Sequence, residues 1–148
     1  MDQVSFKIEA EPVPASRPRV TTRGVAYYPK KHTEYSEFLK RYLKDVPSFP
    51  ADGPVEVTAL FVMPRYKTSD SLVHRADVDN LSKLPLDSMT KAEGEGGGRK
   101  FWSDDHLIVN LTALKRFARE GEQPHTNIKI RKIEGNVEEH VDRVFDSM

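Results

Sequence analysis

The segment Val55–Met63 constrains the fold of this chain more than any other stretch. Apolar side chains occupy both of its alternating faces, and Pro64 stops it. Successive side chains of a strand point to opposite sides of a sheet. A strand that carries apolar residues on both faces is predicted to be central. The remainder of the chain has to supply its neighbours and its covering layers.

The neighbours are legible by pattern. Val4, Phe6, Ile8 and Ala10 alternate with polar residues and predict a first strand, ended by Pro12 and Pro14. Val20 to Tyr28 predicts a short second strand folded about a turn at Arg23-Gly24. Leu107 to Leu114 and Asn127 to Ile133 predict two more. The covering layer comes from two helices. Thr33 is placed to cap one that runs to about Val46, with Tyr35, Phe38, Leu39, Tyr42, Leu43 and Val46 on one face. Pro47, Pro50 and Pro54 mark the loop after it. The second spans Asn80 to Met89 with Leu81, Leu84 and Met89 inward and Asp79 or Asn80 as its cap. Pro85 inside it removes a hydrogen bond, so it either kinks the helix or sits in the first turn of one that starts late. Arg65 to Arg75 is a polar, basic loop. The sum is an α/β (α+β) chain, residues 1–148 forming one domain with a mixed sheet and two main helices. Residues 134–148 are an added C-terminal tail or helix, with Val137, Val141, Val144 and Phe145 at helical spacing. Packing of that segment on its own domain, packing on a partner subunit, and fraying are all compatible with the pattern.

Composition narrows the function classes. A chain of 148 residues fits one domain. Cysteine is absent, which excludes disulfides and thiolate zinc sites and suits a cytoplasmic protein. No apolar run is long enough for a membrane span, and the polar start predicts no signal peptide. The formal net charge of zero argues against nucleic-acid binding only until the distribution is read. Pro12 to His32 holds Arg17, Arg19, Arg23, Lys30 and Lys31 and no acidic residue, a local charge of +5. Glu134 to Met148 holds five acidic residues against Arg143, a local charge of −4. A basic segment is the electrostatic footprint of a nucleic-acid binder, although solvated charge runs also occur on ordinary surfaces.

The chemistry-bearing pattern is Asp77-Val78-Asp79-Asn80, then Lys83, then Asp104-Asp105. In an extended segment Asp77 and Asp79 point to the same side, roughly 6–7 Å apart at Cα. Two carboxylates that close repel each other unless one is protonated or a cation lies between them. A hard divalent cation with oxygen ligands is their natural partner. On a helix Lys83 lies one turn beyond Asp79 and one turn before Asp87, which sets a cation beside the acidic pair and offers Asp87 as its ion-pair partner. Such a lysine can offset charge on a phosphate in the transition state. Taken alone, an Asp-x-Asp-Asn is more often a turn and a helix cap. It is not an EF-hand loop, because Ser82 stands where that loop requires glycine. Asp104 and Asp105 cannot face the same way in an extended chain. His106 reads as a surface residue, Phe101 and Trp102 as core or subunit-contact residues, and Arg17 and Arg19 as phosphate contacts or an exposed strand-end pair.

The pattern resembles the RusA-type Holliday junction resolvases. The resemblance rests on Asp77-Val78-Asp79-Asn80-Leu81-Ser82-Lys83, on Asp87, on Phe101-Trp102-Ser103-Asp104-Asp105, and on the opening Pro12-Val13-Pro14-Ala15-Ser16-Arg17-Pro18-Arg19. It runs from about Ile8 to about Ile133. It implies a RusA-like fold and a Mg2+-dependent endonuclease that resolves four-way DNA junctions by paired symmetric nicks, with Mn2+ able to substitute. By position, Asp77, Asp79 and Asp105 would bind the metal, Asp104 would support them, and Lys83 would be needed for cleavage. Arg17, Arg19, Arg23, Lys30, Lys31 and Arg75 would contact DNA. The family's habit is a homodimer, whose two-fold symmetry would match a junction. A bacterial or phage-infected cytoplasm would suit such an enzyme. The chain departs from the pattern in a glycine-rich stretch, Gly94 to Gly98, and in the tail after Ile133. Two alternatives remain open: a flap or branched-DNA nuclease on the same scaffold, and a junction binder that does not cleave.

Overall fold

The strand expected at Val55–Met63 lies inside the main sheet. The structure is a computed structural model that describes residues 2–66 and 70–148; residues 67–69 of the expected Arg65–Arg75 loop lie outside it. In chain order the elements are β1 (Gln3–Ile8), β2 (Arg19–Val20), β3 (Ala26–Tyr27), α1 (Lys30–Tyr42), β4 (Val55–Met63), α2 (Val78–Lys91), β5 (Ile108–Phe117), β6 (His125–Lys132) and α3 (Val137–Asp146). The four-stranded sheet has the order β1-β6-β4-β5, and β2 and β3 form a separate ribbon. β4 runs antiparallel to β6 and parallel to β5. The sheet is therefore mixed, and the β4–β5 connection is a crossover that α2 carries across one face.

Val55, Val57, Ala59, Phe61 and Met63 turn to that face and are buried with Tyr35 and Leu39 of α1, Leu43 just after it, and Leu81, Leu84 and Met89 of α2. Fully burying one such large apolar side chain contributes about 1.5–3 kcal/mol. An exposed pair such as Lys30–Glu34, at 3.6 Å, adds about 1 kcal/mol at most. Cohesion thus comes from this one-sided core. Phe101 and Trp102, left between core and subunit contact by the sequence, belong to it with 1% exposure each.

Several boundaries differ from expectation. α1 starts at Lys30, behind Pro29, so Thr33 lies in its first turn and does not cap it. The fixed φ of proline, −55° here, already suits a helix entrance. The helix also ends at Tyr42 rather than near Val46. α2 starts at Val78, which puts Asp77 at the cap position and makes Asp79, not a cap, a first-turn residue. The helix does not start late and Pro85 is not in its first turn: the helix continues through the proline, whose ring is buried. Its missing N–H leaves the Leu81 carbonyl without its usual helical donor. The ribbon turn falls where expected, with Gly24 at φ 81°. The C-terminal segment is a third helix, capped by Asn136, whose side chain accepts the Glu139 N–H at 2.9 Å. It is tied to the sheet's other face by His140 Nε2, 2.7 Å from Glu56 Oε1. Phe145 on it is 74% exposed.

Candidate active site

Asp77 and Asp79 straddle the start of α2. Both are exposed, and Asp77 makes no side-chain capping bond even though it holds the cap position. The extended geometry anticipated for the pair is not the one observed, because Asp79 is already helical. A helix start favours negative charge, since unpaired N–H groups and the aligned peptide dipoles concentrate positive potential there. Two uncommitted carboxylates are therefore tolerated at one point on the surface.

The approach to Asp77 is pinned by a residue the sequence reading missed. Lys115 of β5 donates from Nζ to the His74 and Ala76 carbonyl oxygens, each at 2.6 Å. Nothing in the local pattern around Lys115 signalled this, because its partners are about forty residues away. Partial burial, and then the charge of Lys115, hold His74 below its ordinary pKa, against an opposing pull from Glu11. Neutral His74 can then accept the Ala76 N–H at Nδ1, at 3.0 Å.

The basic segment docks on the same point. The Ala15 N–H donates to the Asn80 carbonyl at 2.8 Å, and the Ser16 N–H to His32 Nδ1 at 3.1 Å. Partial burial first, then the charge of Lys83, lower the His32 pKa. Lys83 thus stands beside the start of α1 as well as one turn along α2. No ion pair joins it to Asp79 or Asp87 among the described residues, so the Lys83–Asp87 pair expected from the spacing is not formed. Asp87 instead lines a groove of 660 Å³ between α1 and α2, shared with His32 and Lys40. Arg17, Arg19, Arg23, Lys30, Lys31 and Arg75 are all exposed. The first five lie in the segment after the Ala15–Ser16 anchor, through the β2–β3 ribbon to the start of α1. His32 closes the basic run, and that position was the only sequence signal for it.

Asp104 and Asp105 are elsewhere. Asp104 accepts the His106 N–H at 3.3 Å and caps a 3-10 turn over Asp105–Leu107. That backbone bond is the main reason its pKa is lowered. His106 is exposed, with Nδ1 3.5 Å from Asp104. Asp105 Oδ1 accepts from the Thr90 hydroxyl at 2.5 Å, and Thr90 Oγ1 accepts Trp102 Nε1–H at 2.8 Å. Thr90 lies at the far end of α2 from Asp79. Eleven residues of helix separate the two, about 16 Å at the helical rise. The sheet gives the same answer. Asp105 precedes the first residue of β5, whereas Lys115, which holds Ala76, lies near that strand's end. Asp77 and Asp79 are thus brought together with Lys83 and the basic segment, and Asp105 is not brought to them within one chain. Among the described residues no three His, Cys, Asp or Glu side chains group so as to hold a metal ion.

What the site offers is an exposed acidic pair at a helix start, a lysine a turn away that is unpaired among the described residues, and an arginine- and lysine-bearing arm bonded to the same turn. That combination, on a mixed sheet covered on one face by two helices, suits chemistry on a phosphodiester. The family model described as endodeoxyribonuclease RusA matches residues 9–131. The chain belongs to that family, which makes it an endodeoxyribonuclease, a hydrolase of DNA phosphodiester bonds, with an α+β RusA-like fold. The match covers neither β1 nor α3. A comparison with curated proteins finds no match. No helix among the described residues is long and apolar enough to cross a membrane.

Proposed function

We propose that the chain resolves four-way DNA junctions by paired nicks, as a homodimer that uses Mg2+, with Mn2+ able to substitute. The observation that carries this reading is the bond from Ala15 to Asn80, which sets the basic arm against the start of α2 where Asp77, Asp79 and Lys83 are exposed. Carboxylates repel phosphates, so an acidic site on DNA needs such an arm to bring the strand in. Lys83 offsets charge that builds on the phosphate, and Arg17 and Arg19 hold neighbouring phosphates.

Hard oxygen donors suit Mg2+, and Asp77 and Asp79 supply two on one turn. When bound, the ion polarises the phosphate and lowers the pKa of a water. The expected third ligand, Asp105, does not complete that set within one chain. A two-fold dimer offers the remaining route, in which Asp105 of the partner subunit meets Asp77 and Asp79. It also gives two equivalent sites for two nicks.

Subunit mixing tests this reading. Asp79→Asn and Asp105→Asn homodimers are each expected to bind a synthetic four-way junction without cutting it. Their mixed dimer keeps one intact set only if the set is shared between subunits, and is then expected to nick one strand. No recovery on mixing would place the full set in one chain. Wild-type cleavage of a flap in preference to the junction would change the substrate. Binding without cleavage across divalent metals would leave a junction binder.

A further inference from the structure

The β2–β3 ribbon carries more than charge. It stands apart from the main sheet, held by a turn in which the Thr21 N–H donates to the Val25 carbonyl at 2.9 Å. Val20, Val25, Tyr27 and Tyr28 on and beside it are 67%, 60%, 46% and 50% exposed. A ribbon this short gains little from its own hydrogen bonds. Leaving four large apolar side chains in water on it is unfavourable, and such a patch marks a contact surface. Tyr28 lies flat on His32, with ring centroids 4.3 Å apart and planes at 15°. His32 is itself fixed by the Ser16 N–H, next to the anchor on α2. The result is a two-ring stack, half open to solvent, bonded to the turn that bears the acidic pair.

Every titratable residue along this arm from Arg17 to Lys31, the tyrosines apart, is basic. That charge selects a polyanion as occupant, and the flat rings select one with flat faces. Nucleic acid has both, but a fully paired and stacked duplex presents no free base face. A branch point does, because its bases are easily unstacked. Aromatic side chains beside basic residues are the usual platform for unpaired bases.

We propose that the Tyr28–His32 stack receives a base unstacked at a DNA branch point, while Arg17, Arg19, Lys30 and Lys31 hold the phosphates on either side. This rests on the DNA-cleaving reading above and adds to it how a branch is told from linear duplex. Tyr28 acts here as a specificity residue, with no part in the chemical step.

The test is binding, with metal omitted, to a four-way junction carrying 2-aminopurine at the branch and to a linear duplex of the same length. The wild type is expected to quench the 2-aminopurine. Tyr28→Phe should keep the quench. Tyr28→Leu, which can still cover His32 but cannot stack a base, should lose it and bind the junction about tenfold more weakly. Its affinity for the duplex and its melting temperature should stay within error of wild type. A Tyr28→Leu variant that retains both quench and affinity would overturn the platform and leave the nuclease reading standing. An equal loss on junction and duplex would overturn it as well, since the tyrosine would then only shape the arm. If the wild type binds junction and duplex alike, junction preference fails on its own terms. Quenching of a labelled single strand, present in Tyr28→Phe and lost in Tyr28→Leu, then decides the platform separately.

Discussion

The two ends of α2 do opposite things with the same residue types. At its start, Asp77 and Asp79 are exposed and free of side-chain capping bonds, and Lys83 has no ion-pair partner among the described residues. At its end, Thr90 joins Asp105 to the buried Trp102, and Asp104 is spent on a turn. A carboxylate at the first end remains available to a ligand. At the second end Asp105 is exposed but has Oδ1 tied to Thr90 and so to the core, which fixes where its carboxylate can point. Acidic residues of one sequence motif are thus not equivalent, and what separates them is the length of a helix.

Substitutions can break or sharpen that contrast. The largest effect is expected at the framed end: Trp102→Ala should cost about 3–5 kcal/mol of stability, read by chemical denaturation, because it empties a fully buried site. Next is the open end, where Asp79→Asn should lower the cleavage rate about 100- to 1,000-fold while the melting temperature barely moves. A large loss of stability there would show that Asp79 is structural after all. Thr90→Val should cost about 1–3 kcal/mol, because Trp102 Nε1–H is left without an acceptor in the core.

A subtler effect concerns charge. Lys83→Gln should raise the His32 pKa toward its ordinary value, read by NMR titration of the ring, since Lys83 is one of the two causes that lower it. The sign also fixes a stability trend. A histidine whose folded pKa lies below the unfolded value of 6.5 contributes stability above that value, and the contribution is lost as pH falls below it. The Ser16–His32 anchor should therefore loosen on acidification, and amide exchange at Ser16 should report it.

The smallest effect is expected farthest from α2. Partial burial pushes the Glu56 carboxyl up, but hydrogen bonds from His140 and Asn110 outweigh this and hold its pKa below the ordinary value. Glu56→Gln should cost about 1 kcal/mol and raise amide exchange in α3 alone.

How far the sequence could be read follows the same division. Val55–Met63 was legible as an inner strand because one face is wholly apolar and Leu60 and Val62 extend apolar character to the other, where Glu56 and Thr58 are only half-buried. The ribbon turn was legible because Arg23-Gly24 puts glycine where φ must be positive. The start of α2 was not, since Asp77, Asp79 and Asn80 are all good caps and only packing of Leu81 and Leu84 sets the phase. The acidic pair and Lys83 sit within seven residues, so their proximity was a local matter. The place of Asp105 was not. It depends on β5 lying parallel to β4, a long-range pairing that no local pattern encodes. The same is true of Lys115 and Thr90, whose partners are fixed only by the finished sheet.

The glycine-rich stretch after α2 also looks different once folded. It is pinched shut at its base, with a bridge between Glu93 and Arg99, the Gly94 N–H donating to the Gly98 carbonyl at 2.6 Å and the Lys100 N–H to the Ala92 carbonyl at 3.1 Å. The chain leaves α2, makes a closed bubble and returns almost to where it left. Trp102 therefore sees the same incoming path whatever the bubble contains. Doubling such a loop costs only about 0.6 kcal/mol in closure entropy. The bubble beyond the Glu93–Arg99 neck is thus a natural splice point, where a tag or a reporter peptide can be threaded in without moving either end of α2.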